Sequence, residues 1–143
     1  MTRLISLGGD GFILRTQLKT TWLSGLRLQN NMNEITWGEF EQVELRAGTI
    51  VEAREFPEAH KPAYQLEIDF GTEIGVLRSS AQITDYYTTQ SLVGKQIIAV
   101  INFPDKQIGP FVSQCLTTGL YDKEHNVVLI SPDRPVPNGS KLA

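Results

Sequence analysis

Few side chains in this sequence could do covalent chemistry. Ser79 and Ser80 stand together in "RSSAQ" (78–82), His60 precedes Lys61 in "EAHKP" (58–62), and Cys115 lies in "VSQCLTT" (112–118). A hydroxyl, a histidine and an aspartate are the minimal nucleophilic set. No Gly-x-Ser-x-Gly turn presents either serine, and no oxyanion-hole pattern accompanies them. The serines therefore read as hydrogen-bonding groups. Cys115 falls in an apolar strand pattern, where a thiol behaves as a small buried hydrophobe. One cysteine and two distant histidines, His60 and His125, do not meet the ligand spacing of a zinc site. No glycine-rich phosphate loop is present. The reading is a non-enzyme with no catalytic residue, no metal and no cofactor.

Binding chemistry is better represented. The segments "EFPEAHKP" (55–62) and "NFPDKQIGP" (102–110) each hold Phe-Pro, then a lysine and a second proline within a few residues. Phe56, Phe103 and Ile108 either plug the ends of a core or line an apolar groove with a few polar groups, the usual pattern of a ligand site. His60, Lys61, Asn102, Lys106 and Gln107 would stand beside them. Arg78, Ser79, Ser80 and Gln82 either cap a strand end, with Ser80 as the N-cap of a following helix, or hydrogen-bond an extended chain. Phe111 opens the next apolar run and is expected in the core.

Composition limits the partners. The 143 residues, 41% hydrophobic, suit one globular domain. No run of about 18 apolar residues occurs, so no membrane insertion is expected. One cysteine without a partner fits a reducing, cytoplasmic setting. Residues 1–31 carry Arg3, Arg15, Lys19 and Arg27 against Asp10, whereas residues 32–143 hold nine Lys and Arg against fifteen Asp and Glu, a balance of −6. An acidic domain is a poor fit to a polyanion, because phosphate neutralisation supplies most nucleic-acid affinity. Residues 1–31 read as an extension, either upstream of a natural start at Met32 or a transit peptide, and residues 37–143 as the domain.

The elements that must position these groups are legible in outline. "TWGE" (36–39) is a capping box before a short helix, about Trp37 to Gln42. Residues 43–56 read as a long strand with a bend or bulge at Gly48. "AYQLEIDF" (63–70) alternates, with Tyr64, Leu66, Ile68 and Phe70 inward. Residues 73–80 return as its hairpin partner. Residues 81–94 are helical or irregular, with Gly94 as a stop. "KQIIAVI" (95–101) is a central strand, residues 111–121 a fifth strand and 126–131 a short sixth. Five strands with a helix between the third and fourth give an all-β class: a five-stranded OB-fold barrel with short helices and N- and C-terminal extensions. That architecture binds on its strand 2–3 face, between the two Phe-Pro loops.

The segment "FEQVELRAGTIVEAREFPEAHKPAYQLEIDFG" (40–71) resembles the tRNA-binding domain found at the C-terminus of some methionyl-tRNA synthetases and in free-standing tRNA-binding proteins. Glu44, Leu45, Arg46, Gly48, Ile50 and Val51 match its Asp/Glu-Leu-Arg-x-Gly-x-Ile-Val pattern. "IDFGTEIGVLRSSAQIT", "GKQIIAVINFP" and "PDRPVPNGSKL" are more similar to the CsaA-type secretion chaperones. The resemblance spans about Trp37 to Leu142. It implies a homodimeric OB-fold without catalysis that binds unfolded or precursor polypeptides and assists protein export, with tRNA as the alternative ligand. It also implies that the N-terminal helix, through Trp37 and Phe40, and the tail, through Pro135 and Pro137, build the dimer. The tRNA-binding members carry several basic residues in the strand 4–5 loop, where this chain has only Lys106. A third reading is an assembly module that docks onto another protein.

Overall fold

The computed structural model describes residues 32–143. Residues 1–31, and their reading as an extension, lie outside the described residues. Helix α1 spans Trp37–Glu41. Its capping box is present: the Glu39 amide donates to Thr36 Oγ1 at 3.1 Å, and the Thr36 amide donates to Glu39 Oε2 at 2.7 Å. The bond from the Thr36 backbone, with a second from its side chain, holds the Glu39 carboxyl below its ordinary range. Trp37 and Phe40 share one helix face, their rings 5.3 Å apart.

Residues Glu41–Ala143 form one compact unit. Its strands are β1 (Leu45–Glu55), β2 (Tyr64–Asp69), β3 (Val76–Ala81), β4 (Gln96–Val100), β5 (Lys106–Ile108), β6 (Phe111–Ser113), β7 (Leu116–Thr117), β8 (Gly119–Tyr121) and β9 (Val127–Leu129), with helix α2 at Thr89–Leu92. The main sheet runs β3-β2-β1-β4-β7, antiparallel throughout. It curls until β3 meets the segment joining β6 and β7, a nearly closed OB-fold barrel. Side chains make most of that seam. The Gln114 amide donates to the Arg78 carbonyl at 2.7 Å. The Arg78 amide donates to Gln114 Oε1 at 3.0 Å, and the Ser80 amide to Ser113 Oγ at 3.1 Å.

The core follows the two-residue period of β2. Tyr64, Leu66, Ile68 and Phe70 are buried and meet Ile50, Ile97, Ala99 and Leu92 inside the barrel. Gly48 is needed for close packing, since a Cβ there would lie 2.7 Å from both Ile68 and Phe70. The bulge expected at Gly48 falls instead at Val51, where the β1–β2 register shifts between Ile50 and Glu52. This slip returns Ala53 to the core side opposite Leu66.

The tail completes β1. Past the end of β2, the Ala47 amide donates to the Ser140 carbonyl at 2.9 Å and the Leu142 amide to the Leu45 carbonyl at 2.9 Å. Arg46 donates to the Gly139 carbonyl at 2.9 Å and pairs with Glu44, which also pairs with Lys141. Gly139 takes φ +92, and a Cβ on it would meet the Phe70 carbonyl at 2.6 Å.

Several expected boundaries move. β1 is shorter than 43–56, and β3 begins at Val76 because a turn from Gly71 to Gly75 occupies the preceding residues. Between β3 and β4 the only helix is α2, and its N-cap is Thr88, not Ser80. The expected fifth strand divides into β6, β7 and β8, and the sixth shrinks to β9. The supposed loop at 102–110 contains β5, paired with β6 as Lys106↔Ser113, Gln107↔Val112 and Ile108↔Phe111.

Candidate functional site

The two Phe-Pro segments meet through a small second core. Phe56, Ala63 and Phe111 are buried together, with Ala59 and Ile108 packed against them. The Phe56 and Phe111 rings lie 5.4 Å apart, so the loop after β1 and the hairpin β5–β6 are joined rather than facing each other across a slot. Packing the two rings together removes their apolar area from water, which favours this closure.

Two of the expected ligand residues are buried. Phe56 is only 3% exposed and belongs to this second core. Ser79 is fully buried because β3 alternates and turns it inward, where its Oγ accepts from Thr117 Oγ1 at 2.9 Å across the seam. Two more are committed to structure. Asn102 Oδ1 accepts from the Glu44 amide at 3.0 Å while its Nδ2 donates to the Gln42 carbonyl at 2.7 Å. Gln107 Nε2 donates to the Gly109 carbonyl at 2.7 Å, closing the β5–β6 turn. Ile108 is half-buried on the second core. Phe111 is buried there, as expected of it.

The remaining candidates stay accessible. His60, Lys61, Gln82 and Lys106 are exposed, and Phe103 is 54% exposed. Arg78 and Ser80 are half-buried on the outer face of β3, opposite Glu67 and Gln65 of β2. The Arg78 guanidinium carbon lies 5.2 Å from the centre of the Phe111 ring. The structure thus brings Arg78, Ser80 and, through the Lys106↔Ser113 pair, Lys106 to one side of the barrel. On the same face Arg54 is occupied by Glu52 and Glu67, at 2.7 and 3.2 Å.

Other surfaces were not foreseen. A pocket of about 540 Å³ lies between the start of β4 and the tail, lined in part by Thr49, Lys95, Gln96, Arg134, Pro135 and Asn138. Gln96 shapes it, donating to Val136 O at 2.7 Å and accepting from Val136 N at 3.0 Å. No residue pattern in the sequence marks it, because the pairing partners lie 40 positions apart. Leu120 and Val128 face outward as a cross-strand pair on β8–β9, beside exposed Tyr121. The hairpin turn is held by Asp122, which accepts from the Glu124 and Asn126 amides and the Tyr86 hydroxyl. The Tyr86 bond, first among these, keeps the Asp122 carboxyl low. Trp37 is exposed and Phe40 half-buried, and Pro135 and Pro137 are exposed. Burial pushes the Cys115 thiol up to about 12, so it stays protonated. Among the described residues no cluster of His, Cys, Asp and Glu could hold a metal ion, and no helix is long and apolar enough to cross a membrane.

A nearly closed, five-stranded antiparallel barrel with a few short helices defines an OB-fold domain. Residues 45–141 match the family described as "Putative tRNA binding domain", and the chain belongs to this tRNA-binding domain family. Among solved structures it is similar to the chaperone CsaA from Bacillus anthracis, at 44% identity and a TM-score of 0.73 over 78% of this chain and 100% of that one. The CsaA chaperone protein from Picrophilus torridus is 46% identical, with a TM-score of 0.72 over 77% of this chain and 100% of that one. Among curated proteins, the methionine–tRNA ligase of Pyrococcus furiosus is 31% identical over 93% of this chain but only 18% of the ligase. The chain therefore spans less than a fifth of the length of the curated relatives it matches.

Proposed function

We propose that this protein is a CsaA-like, non-catalytic chaperone that binds unfolded or precursor polypeptides in the cytoplasm and assists their export. The observation that supports this reading most is the likeness to two CsaA chaperones along their whole length, at 44% and 46% identity. The charge of the domain agrees with it. Residues 32–143 carry −6, and the cations near the rim, exposed Lys61 and Lys106 and half-buried Arg78, are too few to neutralise a long polyanion. They suffice to orient a polypeptide on the β2–β3 face, with Phe103 as an exposed apolar contact. Ser80, Gln82 and His60 add hydrogen-bonding groups beside it.

The working unit in this reading is a homodimer built through Trp37, Phe40, Pro135 and Pro137. Two binding faces per particle give avidity for a long client. Light scattering measures the mass directly, and a monomer at micromolar concentration would remove the dimer.

The family match itself favours a second reading, a tRNA-binding module. One experiment separates the two. The protein is titrated with reduced, carboxamidomethylated α-lactalbumin and with bulk tRNA, each at low and at physiological salt. The chaperone reading expects micromolar, weakly salt-dependent binding of the unfolded polypeptide. The tRNA reading expects affinity that falls steeply with salt as counterions are released. Absence of polypeptide binding, with a steep tRNA salt slope, reverses the order.

A further inference from the structure

We propose that Arg78 is a preformed receptor for a single carboxylate on the bound polypeptide, so that the protein selects extended segments carrying an isolated Asp or Glu. This inference rests on the polypeptide reading above and names the chemistry of the client.

The arginines of the described residues are unequal. Arg46 pairs with Glu44 at 2.9 Å, Arg54 with Glu52 and Glu67, and Arg134 with Asp133. Arg78 alone among them has no carboxylate within pairing distance, and its guanidinium makes no hydrogen bond among the described residues. Its register neighbour on β2 is Glu67, but that carboxylate is turned to Arg54 at 3.2 Å. A guanidinium carries donors in a rigid planar fork. Here that fork is left open on a half-buried, partly desolvated surface.

It is also held in place. The backbone of Arg78 is fixed at both polar groups by Gln114, at 2.7 and 3.0 Å. Its guanidinium carbon lies over the Phe111 ring, 5.2 Å from the centre, and Phe111 is 5% exposed and packed against Phe56. A cation held over a ring face spends none of its N–H donors on a hydrogen bond, so they stay free for an acceptor. The entropy of ordering the side chain is thus met before the ligand arrives, which strengthens a charge-assisted bond. Ser80 and Gln65, a cross-strand pair on the same face, supply a hydroxyl and an amide with no side-chain partner among the described residues. Lys106, opposite Ser113, adds a cation at the edge.

The surroundings set the valence. Glu52 and Glu67 lie on the same face, and the domain carries −6 overall. One open fork amid this field offsets one negative charge, and a run of acidic residues would be repelled. The ligand group is therefore an isolated side-chain carboxylate on an otherwise uncharged extended segment.

The test uses the whole chain and two fluorescein-labelled peptides of Ser, Val, Thr and Phe, identical except for one central Glu or Gln. Anisotropy on the unmodified protein is expected to give about tenfold tighter binding of the Glu peptide, the scale of one charge-assisted bond. Arg78→Gln is expected to erase the preference, so that the two peptides bind with equal affinity. Arg78→Lys, which keeps the charge but not the fork, is expected to fall between. Melting curves check that each variant is folded, and the comparison on the unmodified protein needs no variant. Equal affinity for the two peptides on the unmodified protein overturns the assignment, as does a preference that survives Arg78→Gln. If neither peptide binds, the polypeptide reading falls and this assignment falls with it, a result distinct from equal binding.

Discussion

Phe111→Ala tests whether the rim is a welded structure. Phe111 is 5% exposed, contacts the Phe56 ring at 5.4 Å and supports the Arg78 guanidinium at 5.2 Å. Truncating a fully buried Phe costs about 3–5 kcal/mol, with a cavity contribution that shrinks where neighbours can collapse. The second core has only three buried residues and lies at the edge of the barrel, so water and Ile108 can partly fill the gap. The lower end of the range applies, about 3 kcal/mol, and the ring pair and cation stack are contained in it rather than added. For a domain of this size that is a fall of roughly 10–15 °C in melting temperature. Urea unfolding followed by Trp37-independent circular dichroism gives the free energy, and the slope of the transition checks that the unfolded states match. Phe103→Ala, at a 54% exposed position, should stay within about 0.5 kcal/mol of the parent. A loss below about 1 kcal/mol for Phe111→Ala would show that the two segments are not joined through it. A Phe56→Ala, Phe111→Ala cycle adds a sharper criterion, since residues in contact should couple by at least about 0.5 kcal/mol.

Three other outcomes follow from the geometry. Cys115, buried and with its thiol pushed up to about 12, should resist iodoacetamide at pH 8 in the folded protein and react at once in urea. Because its folded value lies above the ordinary 9.0 of a thiol, its contribution to stability is intact below pH 9 and is lost as the pH rises further. Glu44 is held below 4.5, first by Arg46 and then by Lys141, so the anchoring of the tail is intact above that pH and weakens as acid protonates the carboxylate; amide exchange at Leu142 measured at pH 7 and pH 3 reads this directly. Gly139→Ala forces a side chain into φ +92 and within 2.6 Å of the Phe70 carbonyl, and should cost at least about 2 kcal/mol by urea unfolding.

What the sequence revealed depended on the range of the forces involved. The β2 alternation, the Thr36–Glu39 box and the inward Phe111 are set by neighbours a few positions away, and the structure reproduces each. The order of strands was legible for the same reason. The inward turn of Ser79 followed from the period of β3, but the paired serines read equally well as a surface motif. Phe56 could not be placed, because its partner Phe111 is distant in the chain and only the curl of the sheet brings them together. The strand within 102–110 was hidden by the two prolines and glycine of that segment, which read as loop residues although β5, Lys106–Ile108, lies between them. The tail's pairing with β1 and the side-chain seam at Gln114 had no local signal at all.

That pairing has a consequence for the order in which the protein is made. A ribosome delivers β1 long before residues 139–142, and Arg46 must wait for Gly139, 93 positions later. Until then the side of β1 that faces away from β4 is unpaired along Leu45–Ala47, the kind of edge that invites a foreign strand. Contacts of such separation also form slowly, since a long loop has to close before they stabilise anything. Nascent copies of this protein therefore pass through a stage in which they carry a sticky edge of their own, and crowded translation of the same message is the condition under which they would exchange tails.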